Sequence, residues 1–112
     1  MTDILQKIAS YEPGETQFLV LATVIFCIGM SGLLTRRNAV GILMSAELML
    51  NSAALMFVVF NRFAAPSVDG HIMAIFIIAV AAAEAVVGMA IFVALFRYRQ
   101  TIDVTQITLL RD

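Results

Sequence analysis

The sequence predicts an all-α membrane protein: three transmembrane helices running up-down-up, with the N-terminus periplasmic and the C-terminus cytoplasmic. Three observations carry this. Of 112 residues, 62% are hydrophobic and only 13% charged, with a mean hydropathy of +0.97. A soluble domain of this size would place far more charge on its surface. The apolar residues gather into three runs, about 16–34, 38–60 and 71–96. Roughly 20 apolar residues at 1.5 Å rise cross a hydrocarbon core of about 30 Å, so each run is of spanning length. The basic residues, finally, are unevenly shared between the two ends of these runs. The whole chain, 1–112, reads as one membrane domain.

The elements follow in chain order. Residues 1–11 place Ile4, Leu5 and Ile8 on one face, the pattern of a short interfacial helix, ended at Pro13-Gly14. The first span carries no charge. Acidic residues precede it and no small-residue cleavage site follows, so it is expected to be retained and not cleaved as a signal peptide. Thr35-Arg36-Arg37 makes a short turn, and Asn38 is placed to cap the second helix. The second span is interrupted only by Glu47. In the connection over 61–70, Pro66 and Gly70 are expected to stop helix, and Asp69 suits the positive end of the third. That third span is interrupted only by Glu84. Links this short force antiparallel neighbours. In the tail, 97–112, Ile102 and Val104 alternate with polar residues before Leu109-Leu110. This suits pairing with a partner's surface or, equally, a loosely ordered tail.

Arginine placement sets the orientation. Arg36, Arg37, Arg97 and Arg99 fall on one side, whereas the other has Lys7 and Arg62 beside Asp3, Glu12, Glu15 and Asp69. The positive-inside rule therefore puts the first loop and the tail in the cytoplasm.

Composition also excludes function classes. A net charge of −1 gives no basic field for nucleic acid. A lone cysteine, Cys27, rules out an internal disulfide and a cysteine-based zinc site. The chain has no glycine-rich phosphate loop, no nucleophile elbow and no metal-ligand spacing. What remains is the pair of glutamates. A charged carboxylate at the bilayer centre costs at least about 2.5–3.5 kcal/mol, and such groups are by default functional. Glu47 lies about 13 Å and Glu84 about 18 Å from the cytoplasmic ends of their spans. With neighbouring helices about 8–10 Å apart, the two carboxyls would be separated by roughly that distance.

Asn51, one turn after Glu47, and the hydroxyls of Ser45 and Ser52 suggest a polar, inward-facing setting. Ala79, the run Ala81-Ala82-Ala83, Ala85 and Gly88 surround Glu84, and Gly29 and Gly32 lie in the first span; small residues of this kind let helix backbones approach. Met44, Met49, Met56, Met73 and Met89 are expected to pack between helices. Burial favours the neutral form of a carboxyl and a nearby cation the charged one, so two carboxyls in series form a candidate proton relay. The alternative is that both are neutral packing elements. His71 is expected at the external interface and Arg36 and Arg37 act first as topology signals, with docking or tuning as a second role.

The stretches RRNAVGILMSAELMLNSAALMFV around Glu47 and DGHIMAIFIIAVAAAEAVVGMAI around Glu84 closely resemble the K-subunit family of proton-pumping NADH:quinone oxidoreductase, respiratory complex I, whose mitochondrial counterpart is the 4L subunit. The resemblance covers about 29–99, and VTQITLLRD also looks like the family's end. The stretch before Gln17 is longer than the family pattern.

The resemblance implies a membrane-arm subunit of the bacterial inner membrane, with no redox cofactor of its own; NADH, FMN, Fe-S clusters and quinone would be held by partner subunits. Glu47 and Glu84 would form part of a charge chain linking the quinone site to antiporter-like subunits, with Arg36 and Arg37 supporting coupling. Competing expectations are a C-type subunit of a multisubunit sodium/proton antiporter, a membrane subunit of an energy-converting hydrogenase, and, less favoured, a small glutamate-dependent exporter. The last has four spans with its glutamate in the first.

Overall fold

A computed structural model describes residues 1–100 and 102–107, so Leu109-Leu110 lies outside the described residues. The elements are α1 (Thr2–Ala9), α2 (Glu15–Thr35), α3 (Ala39–Phe63), α4 (Asp69–Arg99) and a single 3-10 turn, Val104–Gln106. The last three α-helices are each long and apolar enough to cross a membrane, in keeping with the three predicted runs. α1 ends at Ala9, with Ser10 as its C-cap, ahead of Pro13-Gly14. At the start of α3, the Asn38 side chain accepts from the N–H groups of Val40 (2.9 Å) and Gly41 (3.4 Å), the predicted cap.

Gly70 does not stop helix as expected. It sits in the first turn of α4, next to Asp69. Its missing side chain serves packing instead, since a Cβ there would collide with Asn61 of α3. Asn61 Oδ1 accepts from the Ser67 N–H (3.0 Å) and hydroxyl (3.1 Å), which fixes the turn between the two helices.

Helix packing puts α3 in the middle. α2 and α4 both pack on it, and no other pair of helices packs extensively among the described residues. The result is a flat layer, 66 × 37 × 19 Å. Its core consists mostly of small residues: Ala22 and Gly29 of α2, Ala39, Ser45, Ser52 and Ala54 of α3, and Ala74 and Ala81 of α4, with Val59 and Asn61 of α3 the larger members. Ser52, 1% exposed, donates its hydroxyl to the Ala22 carbonyl at 2.6 Å. In a bilayer, where lipid tails are as apolar as leucine, close approach and interhelical hydrogen bonds hold helices together. Gly29 and Gly32 lie against Ser45 and Met49, as expected of close-packing positions.

Elsewhere the small and flexible residues behave differently. Ala82 and Ala83 are exposed, and so are Met44, Met73 and Met89. Those of α4 do not pack inside this chain, because an outer helix in a flat layer has only one neighbour to cover it, and Met44 lies on a side of α3 that neither α2 nor α4 covers. At the end opposite the tail, the Phe18 and Phe63 rings lie 6.1 Å apart, and the Arg62 guanidinium stands 5.5 Å over Phe63.

The tail makes a contact that its sequence did not disclose. Ile102 and Val104 pair with this chain's own α2–α3 turn. The Ala39 N–H donates to the Ile102 carbonyl (2.9 Å), and the Val104 N–H donates to the Arg37 carbonyl (3.1 Å). The physical reason is that the first turn of a helix leaves N–H groups without helical partners. Asn38 satisfies those of Val40 and Gly41, Ile102 satisfies that of Ala39, and the first intrahelical bond then runs from Ile42 to Asn38. Ile102 and Ile107 close over Ala39, Phe92 and Leu95. Gln100, in the left-handed region at φ 57°, reverses the chain to bring the tail there.

Candidate functional site

α3 and α4 run antiparallel in a fixed register, with Gly70 against Asn61 and Gly88 against Leu43. The same register sets Glu47 level with Glu84. Both are well inside their helices. Glu47 is about 12 Å past the start of α3 and Glu84 is near the middle of α4.

Their surroundings differ. Glu47 is half-buried and shares an open hollow with Leu43, Met44, Leu48 and Asn51 of α3 and Ala85 of α4. Asn51 is thus brought to Glu47, one turn along the same face. Ser45 and Ser52 are not. They face α2, because steps of two and five residues at 100° each carry them to the far side of α3 from Glu47. They serve packing, contrary to the polar setting expected of them.

Glu84 is exposed. The α3-facing stripe of α4 runs through Ala74, Ile77, Ala81, Ala85, Gly88 and Phe92, and Glu84 sits at its flank. Its hollow is otherwise apolar: Val80, Ala83, Val87, Gly88 and Ile91. The inward placement expected of both glutamates therefore holds in part for Glu47 and not for Glu84. α3 has neighbours on two sides, so Glu47 gains cover that a residue on the flank of an outer helix lacks. Among the described residues neither carboxyl has a hydrogen bond or ion pair.

The arginines are not brought to the carboxyls. Arg36 caps the end of α2, its N–H bonded to the Gly32 carbonyl at 3.0 Å, and lays its side chain across Gly41. Arg37 gives its carbonyl to the tail. The charge of Arg37 acts on Asp103, whose carboxyl is held below its ordinary value mainly by the Thr105 hydroxyl and then the Thr105 N–H, with Arg37 contributing less. Thr105 donates through Oγ1 at 2.6 Å and through N at 3.0 Å. This tail–turn contact is what sequence reasoning missed. Its signal, the alternation at Ile102 and Val104, was visible but does not name the strand it pairs with. His71 is exposed in the first turn of α4. No group of three or more metal-binding side chains occurs among the described residues.

A family model described as NADH-ubiquinone/plastoquinone oxidoreductase chain 4L matches residues 17–112. The chain belongs to this family. It is 51% identical over 90 residues to NADH-quinone oxidoreductase subunit K of Geobacillus kaustophilus, an alignment covering 80% of this chain and 89% of the relative. It is 54% identical over 87 residues to subunit K of Myxococcus xanthus, covering 78% and 86%. It is 50% identical over 94 residues to NAD(P)H-quinone oxidoreductase subunit 4L of a Synechocystis strain, covering 83% and 91%. The 4L-family match takes in α2, α3, α4 and the tail, while α1 and its linker precede it.

Proposed function

We propose that this chain is the K (4L-type) membrane-arm subunit of a proton-translocating NADH:quinone oxidoreductase, and that Glu47 and Glu84 carry its share of a proton or charge relay. The observation that supports the relay is the register: two carboxyls at the same height on adjacent antiparallel helices, deep in apolar segments, with no partner among the described residues of their own chain. Each opens on an uncovered hollow, so neighbouring subunits complete their surroundings. The relatives named above are quinone oxidoreductase subunits, which favours this over an antiporter C subunit or a hydrogenase membrane subunit. Three spanning helices with an uncharged first one speak against the exporter.

In this proposal NADH, FMN, the Fe-S clusters and quinone belong to other subunits, and the chain itself handles no electrons. A carboxyl alternates between an acid that donates a proton and a base that accepts one, and Asn51 offers Glu47 a polar neighbour for either form. Arg36 and Arg37 act from the cytoplasmic turn on the shape of the helix ends, not by contact with the glutamates. In this reading the tail is cytoplasmic and the N-terminus periplasmic, in a bacterial inner membrane, and the basic residues of that turn and of the end of α4 support it.

The test is proton uptake per NADH oxidised by the assembled complex in sealed vesicles. Glu47→Gln is expected to keep assembly and NADH oxidation while strongly reducing proton uptake. Glu84→Gln should give the same or a milder loss. Undiminished pumping in both single variants and the double variant would refute the relay.

A further inference from the structure

α1 is the one helix that the family match does not reach and the proposed function does not use. It is amphipathic. Met1, Ile4, Leu5 and Ile8 fall within about a third of its circumference at 100° per residue, and all four are largely exposed. Thr2, Asp3, Gln6, Lys7 and Ser10 occupy the opposite side. None of its residues is buried, and it packs extensively on no other helix.

A second observation fixes where it stands. Tyr11, at the exit of α1, accepts a hydrogen bond from Gln17 Nε2 in the first turn of α2, and Gln17 Oε1 accepts from the Gly14 N–H. The linker is therefore tied to the point at which α2 enters the bilayer. A tyrosine there is at home, since its ring and hydroxyl suit the boundary between apolar and aqueous phases.

We propose that α1 lies flat on the membrane surface as a lipid anchor at the head of α2, with Ile4, Leu5 and Ile8 in the acyl–headgroup boundary and Lys7 and Asp3 toward water. A helix lying in the interface buries its apolar face into that boundary without crossing. One lysine and one aspartate give its polar face no net charge, so the lipid contact is apolar and independent of anionic headgroups; attraction to those requires clustered basic residues. A bilayer is also present around any helix that spans it, whereas a protein groove for α1 would have to come from a subunit partnering a segment outside the family's shared stretch. α2 need only span the bilayer for this to hold, and no role of the glutamates is required.

The experiment places a photoreactive benzophenone amino acid at Leu5, at Ile8 or at Gln6 in the assembled complex, reconstituted in phosphatidylcholine vesicles. Illumination should yield lipid adducts at Leu5 and Ile8 several-fold above Gln6. The yield should be unchanged when phosphatidylglycerol is added. Cross-links from Leu5 and Ile8 to another subunit would overturn the proposal in favour of a protein partner, and adducts equally sparse at all three positions would place α1 in water. A several-fold gain with phosphatidylglycerol would overturn the charge-independent contact. Ile8 keeps the test decisive if the Leu5 variant does not assemble.

Discussion

Replacing Gly29 with alanine tests how the layer is held. A Cβ at position 29 would stand 2.9 Å from the Ser45 carbonyl oxygen, 3.2 Å from the Met49 nitrogen and 2.7 Å from Met49 Cγ. The methionine arm can swing aside, but the two backbone atoms move only with α3 itself. Bringing a carbon and an oxygen from 2.9 Å to ordinary contact parts α2 and α3 by about half an ångström locally. A gap of that size forfeits about a quarter of each contact's dispersion energy. Overpacking of this kind costs about 1–3 kcal/mol. The control is Gly41→Ala, where the new Cβ meets only the flexible Arg36 arm at 3.2 Å and alanine gains about 0.5–1 kcal/mol of helix stability over glycine. The assay is the NADH:quinone activity left in the purified complex after graded heating. Gly29→Ala should inactivate at a lower temperature than the parent, and Gly41→Ala at the same or a higher one. A Gly29→Ala complex as heat-stable as Gly41→Ala would refute the view that backbone approach holds α2 on α3.

Two further outcomes follow from particular bonds. Ser52→Ala removes the hydroxyl bonded to the Ala22 carbonyl and should cost about 0.6 kcal/mol, the average for interhelical hydrogen bonds in membranes, and at most about 1.7, read as a smaller shift than Gly29→Ala in the same heating assay. At Asp103 the folded carboxyl is held below its ordinary value by Thr105, so its support of the tail is present above the unfolded value and is lost as pH falls through the lowered one. Protection of the Ala39 amide against hydrogen exchange, corrected for intrinsic rate, should therefore stay flat from about pH 8 to 5 and fall only below about 4, and Asp103→Ala should lower it throughout. A drop near neutral pH would contradict this.

The spans were legible because hydropathy reports on solvent, and lipid leaves that record over whole helices. The Asn38 cap was legible because its chemistry is local. The level of Glu47 with Glu84 followed from short links, which leave antiparallel helices little freedom of register. What each side chain faces was harder to read. Ser45, Ser52 and Asn51 look alike as polar residues near a glutamate, yet only the helical angle and the choice of neighbour decide which share its face. In a soluble protein the buried side of a helix is the apolar one, but here every side is apolar, so the exposure of Glu84 left no trace in the pattern. The tail's contact with the α2–α3 turn was not legible because a short alternating stretch suits pairing without saying with what.

The Ile102 carbonyl that receives the Ala39 N–H comes only after α4, the last of the long helices among the described residues. The first turn of α3 is therefore finished only after α4 has been made, although α3 itself is made much earlier. A product cut short after Arg99 would insert three complete spans and still present an unfinished Arg36–Arg37 turn. Synthesis past α4 is thereby reported at the α2–α3 turn, the very surface that a subunit docking from that side of the membrane would touch.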